Sequence, residues 1–224
     1  MNYDVINIGE RDFLQRIEFL TTKHKNNKTP FVSANIFQPD GNTLVFPPYI
    51  IKKLKKFKAN GKKVPTLKVG IFGIVFKRLQ IVIDKKEPQL VVGDPMEAAK
   101  KAVAELKNKC DVIIALAHTR YPQIKMLAQT VEGIDVIIGC HDPIYRPNTE
   151  KFGEAVAIIG GSKGQYIGDL RLDFDKDKNI VGQLGRTVLL DKKIKDDSEM
   201  ATLIRKFKAD KAKGIRKHAN NIRK

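Results

Sequence analysis

Three segments of the chain open on the same triplet, Asp-Val-Ile: Asp4-Val5-Ile6, Asp111-Val112-Ile113 and Asp135-Val136-Ile137. Each runs through apolar residues toward a potential metal ligand: Glu10, His118 and His141 in turn. Where such runs form neighbouring strands, their carboxyl ends lie about 4.8 Å apart, and side chains just beyond them can converge. Two imidazoles and one carboxylate make a donor set for a single iron, zinc or manganese ion. Each residue also has a plainer reading. A histidine that ends a buried strand can simply bond a backbone carbonyl, and a loop glutamate can simply face water. Cys140 reads as a small buried apolar residue rather than a ligand. His24 and His218 stand in strongly polar stretches and read as surface residues.

The elements that must position these residues follow from periodicity. Residues 3–8 read as a short strand, and the spacing of Phe13, Ile17 and Leu20 predicts a helix from Asp12. Residues 31–37 and 66–76 read as strands, with 79–83 pairing near the second. Asp94-Pro95-Met96-Glu97 is a helix start, with Asp as cap, Pro in the first turn and Glu behind it. Residues 111–117 and 134–140 are continuous apolar runs, typical of strands buried on both faces. A helix over 123–131 separates them, which makes a strand–helix–strand unit with parallel pairing. Strands follow at 155–159, 166–174 and 180–190, the last two joined by a turn at Asp177-Lys178-Asn179. A final helix begins near Asp196. The expected organisation is one α/β domain over 1–195 and a Lys-rich helical tail over 196–224.

Composition excludes several classes. The 224 residues are 42% hydrophobic and 30% charged, which is a globular balance. Two cysteines cannot build a disulfide framework or a four-Cys zinc site. No apolar run approaches the ~20 residues of a membrane span. Residues 1–4 have neither the basic start nor the apolar core of a signal peptide. Lys and Arg number 42 against 25 Asp and Glu, a net charge of +17, concentrated in 52–63 and 192–224. Neither stretch carries interleaved aromatics or a helix-turn-helix pattern. Both read as solvated segments rather than a nucleic-acid surface.

The order of segments resembles the 5′-nucleotidase-like metallophosphoesterases of the calcineurin-like superfamily. Residues 3–13 (YDVINIGERDF) are similar to the family's YDA…GNHEFD, and 30–36 (PFVSANI) to its PFLSANI. Residues 68–73 (KVGIFG) resemble KVGIIG, and 111–118 (DVIIALAH) resemble DVIIALSH. Residues 133–141 (GIDVIIGCH) resemble GIDVIVGGH, and 166–172 (YIGDLRL) resemble YLGRLDL. The resemblance implies an α/β fold, a sandwich of two mixed sheets flanked by helices. It implies a divalent metal (Mn, Zn, Fe or Mg) and a phosphate monoester or nucleotide substrate. It also suggests a periplasmic or secreted location.

The departures are equally specific. The family opens on an Asp-x-His strand and a Gly-Asp segment, and ends in a nucleotide-binding domain. None of these stands in the sequence, so the sandwich is expected to lack its N-terminal strands. Either the chain is a fragment with flanking domains elsewhere, or those ligands have been lost. The family's Asn-His pair appears as Glu10-Arg11, and Pro143 stands at the second His of its Gly-His-x-His. On this mapping the donors of one family metal are absent. Three of the four donors of the other are kept as Glu10, His118 and His141, which implies one ion rather than two. Arg11 then takes the place of a phosphate-stabilising histidine. Asp142 and Asn148 are further candidates for contact with metal or substrate, although turn chemistry is the plainer account of both. The expected function is a metal-dependent phosphoric monoester hydrolase of the 5′-nucleotidase type with an altered, single-metal site. The alternative is a degenerate, non-catalytic module that binds an anion, a metal or a protein partner.

Overall fold

A computed structural model describes residues 3–222 apart from 27–28, 56, 60–61, 65, 86–88, 142–144 and 162–163. The first strands are β1 (Ile6–Asn7), β2 (Phe31–Val32), β3 (Ile36–Phe37), β4 (Tyr49–Leu54), β5 (Phe57–Ala59), β6 (Lys62–Val64) and β7 (Leu67–Val75). The rest are β8 (Val91–Val92), β9 (Val112–His118), β10 (Val136–Cys140), β11 (Glu150–Phe152), β12 (Ala155–Ile159), β13 (Tyr166–Phe174) and β14 (Ile180–Leu189). The helices are α1 (Arg16–Asn26), α2 (Gln80–Ile83), α3 (Pro95–Leu106), α4 (Tyr121–Thr130) and α5 (Ser198–Ile222). The chain divides into two units, Met1–Leu189 and Leu190–Lys224.

A six-stranded sheet in the order β11-β12-β10-β9-β7-β4 forms the centre of the first unit. The four inner strands are parallel, and β4 and β11 run antiparallel at the edges. The parallel pairing of β9 and β10 around α4 is the one expected from the two apolar runs. Helices α3 and α4 cover one face, burying Ala99, Ala102, Leu106, Ile124 and Leu127 against Ile113, Ala115 and Ile137. Over the other face, Phe174, Leu172 and Ile180 of the β13–β14 ribbon meet Val69, Ile71 and Val112. The result is the expected α/β sandwich, with β1–β2 and β13–β14 present as two-stranded pairs. A second core gathers Ile8, Phe13, Leu20, Phe31, Ile36, Phe46 and Ile83.

Asp94 caps α3 as expected, its side chain accepting from the Met96 and Glu97 amides. The leading aspartates of two triplets bond backbone across the sheet. Asp111 accepts from the Lys68 amide at 2.6 Å, and Asp135 from the Ile113 amide at 2.7 Å. Each thus ties the start of its own strand to the neighbouring strand that precedes it in the chain. Asp4 pairs with Lys52 on the edge strand β4.

Three expected elements take a different form. Residues 79–83 are helical, a 3-10 turn followed by α2, rather than a strand beside β7. The amide of Val92 and the carbonyl of Leu90 bond the Gln80 side chain there, which ties the helix to β8. The strand expected over 31–37 breaks into β2 and β3. Between them the fully buried Asn35 donates to the Val75 and Gly93 carbonyls and accepts from the Val75 amide. The helix expected from Asp12 begins as a 3-10 turn and becomes α-helical at Arg16, whose φ is +64°. Residues 52–63 are not a plain solvated loop. They contain part of β4 and the β5–β6 hairpin, whose Asn60-Gly61 connection lies outside the described residues. Charged lysines on β4 suit an exposed sheet edge.

In the second unit, the Asp197 carboxylate accepts from the Met200 amide at 2.8 Å and starts α5. Leu203, Ile204 and Phe207 are exposed on that helix.

Two predictions follow from the ties at the strand ends. Asn35→Ala removes the side-chain partner of three backbone groups, two of them buried on Val75, and chemical denaturation should show a loss of about 3 kcal/mol. The second concerns Asp111. Burial pushes its carboxyl up, but the Lys178 ammonium at 2.9 Å, the Lys68 amide and the Lys68 charge hold it below the usual range. A depressed carboxyl adds stability above its unfolded value of about 3.9, and loses that contribution as pH falls through the lower folded value. In thermal melts from about pH 6 to about pH 2, Asp111→Asn should therefore fall less steeply than the wild type.

Candidate metal centre

The carboxyl ends of β9 and β10 and the loop after β1 meet in a cleft of about 530 Å³. Its lining includes Asn7, Gly9, Glu10, Arg11, Asp12, His118, Cys140 and His141, together with Gly161 and Gly164. The loop is pinned at both ends. Ile8 and Phe13 are fully buried in the second core, so Gly9 to Asp12 have little freedom between them. Within the loop, Asp12 accepts from the Gly9 amide at 2.8 Å.

Glu10, His118 and His141 each offer one ligand atom, and these atoms lie within 4.8 Å of one another. One Glu10 oxygen contacts His118 Nε2, and the other lies 3.5 Å from His141 Nδ1. The two imidazole rings are 4.9 Å apart at an angle of 52°. Ligand atoms about 2.1 Å from a tetrahedral ion stand roughly 3.4 Å from each other, so this set fits one ion after small adjustments. Among the described residues no other such group of His, Cys, Asp and Glu occurs.

The electrostatics favour a cation. Burial pushes the Glu10 carboxyl up. The charge of His118, the Glu10 backbone bond, the His118 side-chain bond and His141 together outweigh it and leave the group below the usual glutamate range. The carboxylate is thus ionised at neutral pH, with only 14% of its side chain exposed. Cys140 behaves oppositely. Burial, then the charges of Glu10 and Asp12, push its thiol up to about 12, so it is a neutral S–H at physiological pH. Its Sγ lies 3.0 Å from His118 Nδ1, on the ring nitrogen away from the Glu10 contact.

His141 takes a left-handed backbone, with φ of +73°. That conformation costs a non-glycine residue about 1–2 kcal/mol and marks an imposed position. A cluster of side chains links the segments that follow the two histidines. The Arg146 guanidinium sits 3.5 Å over the Tyr121 ring, and both residues bond the Glu150 carboxylate.

Glu10, Arg11, His118 and His141 therefore share one cleft. Arg11 is exposed at its edge. Asp142 lies outside the described residues. Asn148 does not join them: it is exposed, and its backbone forms a bridge with Arg186 on β14. His24 is half-buried against Phe31 and Phe46, and its Nδ1 accepts from the Phe31 amide. Its polar sequence neighbours conceal that packing. Asn7 and Gly9 also belong to the site. Asn7 is the polar exception in an apolar strand, which is the signal that sequence reading could have used.

No protein-family model matches the chain. The 5′-nucleotidase of Rattus norvegicus is 27% identical over 233 residues, covering 93% of this chain and 38% of the rat protein. A 2′,3′-cyclic-nucleotide 2′-phosphodiesterase/3′-nucleotidase of Haemophilus influenzae is 34% identical over 179 residues, covering 73% of this chain and 27% of the relative. The chain thus spans well under half of these curated relatives. The crystal structure of the calcineurin-like phosphoesterase YfkN from Bacillus subtilis superposes with a TM-score of 0.82 at 25% identity, over 96% of this chain and 72% of that one. The motif series, the sandwich and these matches agree in their likeness: the chain is similar to the 5′-nucleotidases and to the calcineurin-like phosphoesterases in sequence and fold.

Proposed function

We propose that Glu10, His118 and His141 hold one divalent cation and that the chain acts there on phosphoric monoesters, nucleotides among them. The observation that carries this reading is the convergence of the three donors in a cleft edged by Arg11. A divalent ion in such a set lowers the pKa of a bound water and polarises a phosphoryl oxygen. The chain's own groups supply the rest. Glu10 and the two histidines hold and orient the ion. The Arg11 guanidinium, with its planar fork of donors, binds two phosphate oxygens together. Arginine cannot donate a proton at neutral pH, so it stabilises charge without protonating a leaving group. The site is expected to be a slower hydrolase than one with two ions. A net charge of +17 draws anionic esters toward the molecule.

The expected division into a domain over 1–195 and a tail over 196–224 places all these residues in the domain. An extracytoplasmic location rests on resemblance alone. No helix among the described residues is long and apolar enough to cross a membrane.

Metal content after loading with manganese or zinc tests the reading. One equivalent per chain is expected, lost in His118→Ala, with p-nitrophenyl phosphate turnover lost alongside it. Arg11→Ala should keep the ion and lose about a hundredfold in turnover. A chain that binds no ion, or that turns over equally well as His118→Ala, overturns the proposal.

Gly9 gives a further check. A Cβ there would lie 3.0–3.2 Å from three His118 ring atoms. Gly9→Ala should shift that ring and weaken metal affinity about tenfold or more while leaving the fold intact. Competition with a chromogenic chelator measures it.

A further inference from the structure

His118 is gripped on both ring nitrogens. Nε2 meets the Glu10 carboxylate, and Nδ1 lies 3.0 Å from Cys140 Sγ. The second contact follows from the sheet: Cys140 and His118 are direct partners in the parallel pairing of β10 with β9. The related motif, GIDVIVGGH, has glycine at this place and so has no side chain to make the contact. The rest of the ring is equally confined, by Gly9 on one side and by the His141 ring 4.9 Å away.

We propose that Cys140 is the positioning residue of His118: its thiol, which can both donate and accept, holds Nδ1 and so fixes the direction in which Nε2 points. The inference rests on the single-cation reading above only for its metal-bound form. Without an ion, the Glu10 carboxylate can only accept, so Nε2 carries the proton and donates to it. A lone pair on Nδ1 accepts from the Cys140 S–H, and an N–H there donates to the sulfur. To ligate a cation, Nε2 must present its own lone pair. The ring proton then stands on Nδ1 and donates to the same sulfur, which accepts weakly. A carbonyl or carboxylate in place of the thiol could serve only the second form. A glycine serves neither. Sγ contacts the nitrogen remote from Glu10, so the thiol orients a ligand rather than being one.

The test uses the full chain with histidine labelled in its ring nitrogens. In the metal-free wild type, the His118 Nδ1 resonance should be that of a hydrogen-bonded nitrogen. In Cys140→Ala it should move toward the value of an unbonded nitrogen. Cys140→Ser, whose hydroxyl both donates and accepts, should stay near the wild type. With zinc or manganese titrated against a chelator, Cys140→Ala should bind about 10–100-fold more weakly, and Cys140→Ser should recover most of that loss. If the ring resonances of Cys140→Ala match the wild type, the proposal is wrong. If the wild type takes up no ion, the single-cation reading fails, while the metal-free spectra still decide the role of Cys140. If the spectra change but affinity does not, the thiol bonds the ring without positioning it, and the proposal also fails.

Discussion

Parallel pairing sets Val75 opposite His118, and His118 opposite Cys140, across β7, β9 and β10. A slip of one residue in either pairing would turn His118 or Cys140 to the opposite face of the sheet. The chemistry of the cleft therefore depends on register, and the molecule fixes register at both ends of these strands. At the amino ends, Asp111 and Asp135 bond the backbone of the preceding strand. At the carboxyl ends, Asn35 bonds Val75 on both its amide and its carbonyl, and Asn7 donates to the Ile74 and Leu116 carbonyls. Gly73 lacks a side chain where Asn7 approaches, since a Cβ there would lie 2.3 Å from the Asn7 oxygen. The short strand β1 is thereby docked on the central sheet, and the loop that carries Glu10 starts from a fixed point.

Register places the donors, but it does not make their arrangement comfortable. A carboxylate largely removed from water is costly unless it is paired. Glu10 is paired twice, with His118 and with His141. His141 in turn stands in a left-handed backbone. Both costs are met outside the cleft, by Ile8 and Phe13 in the second core and by the Arg146, Tyr121 and Glu150 cluster. Strain at a site held by a well-packed surround is the expected pattern where position matters more than local comfort.

Sequence reading is strongest where one pattern admits one structure. Behind their leading aspartates, residues 112–117 and 136–140 are apolar, which suits strands buried on both faces, and β9 and β10 lie there. The Asp94-Pro95 start of α3 is equally plain, because cap and ring chemistry act within one turn. The three donors are reachable from strand ends for the same reason. The reading weakens where long-range bonds decide. Residues 79–83 are too short to show a helical period, and Gln80 bonding across to β8 settles them. Asn35 interrupts a strand-like run by spending its amide on β7 and Gly93, forty and fifty-eight residues away. Cys140 reads as apolar filler because the nitrogen it meets lies 22 residues earlier. Such contacts leave no local trace.

The pair Glu10-Arg11 shows how this chain departs from the motif it resembles. A neutral amide and an imidazole in the related motif become a carboxylate and a guanidinium here. The longer, charged glutamate reaches both histidines, which an asparagine's shorter side chain is less able to do. Its negative charge strengthens cation binding but repels a phosphate in the same cleft. Arg11, one residue on and exposed at the edge, carries the charge that offsets this repulsion. A phosphate bound there would meet repulsion from Glu10 and attraction from Arg11, so the second substitution offsets the first.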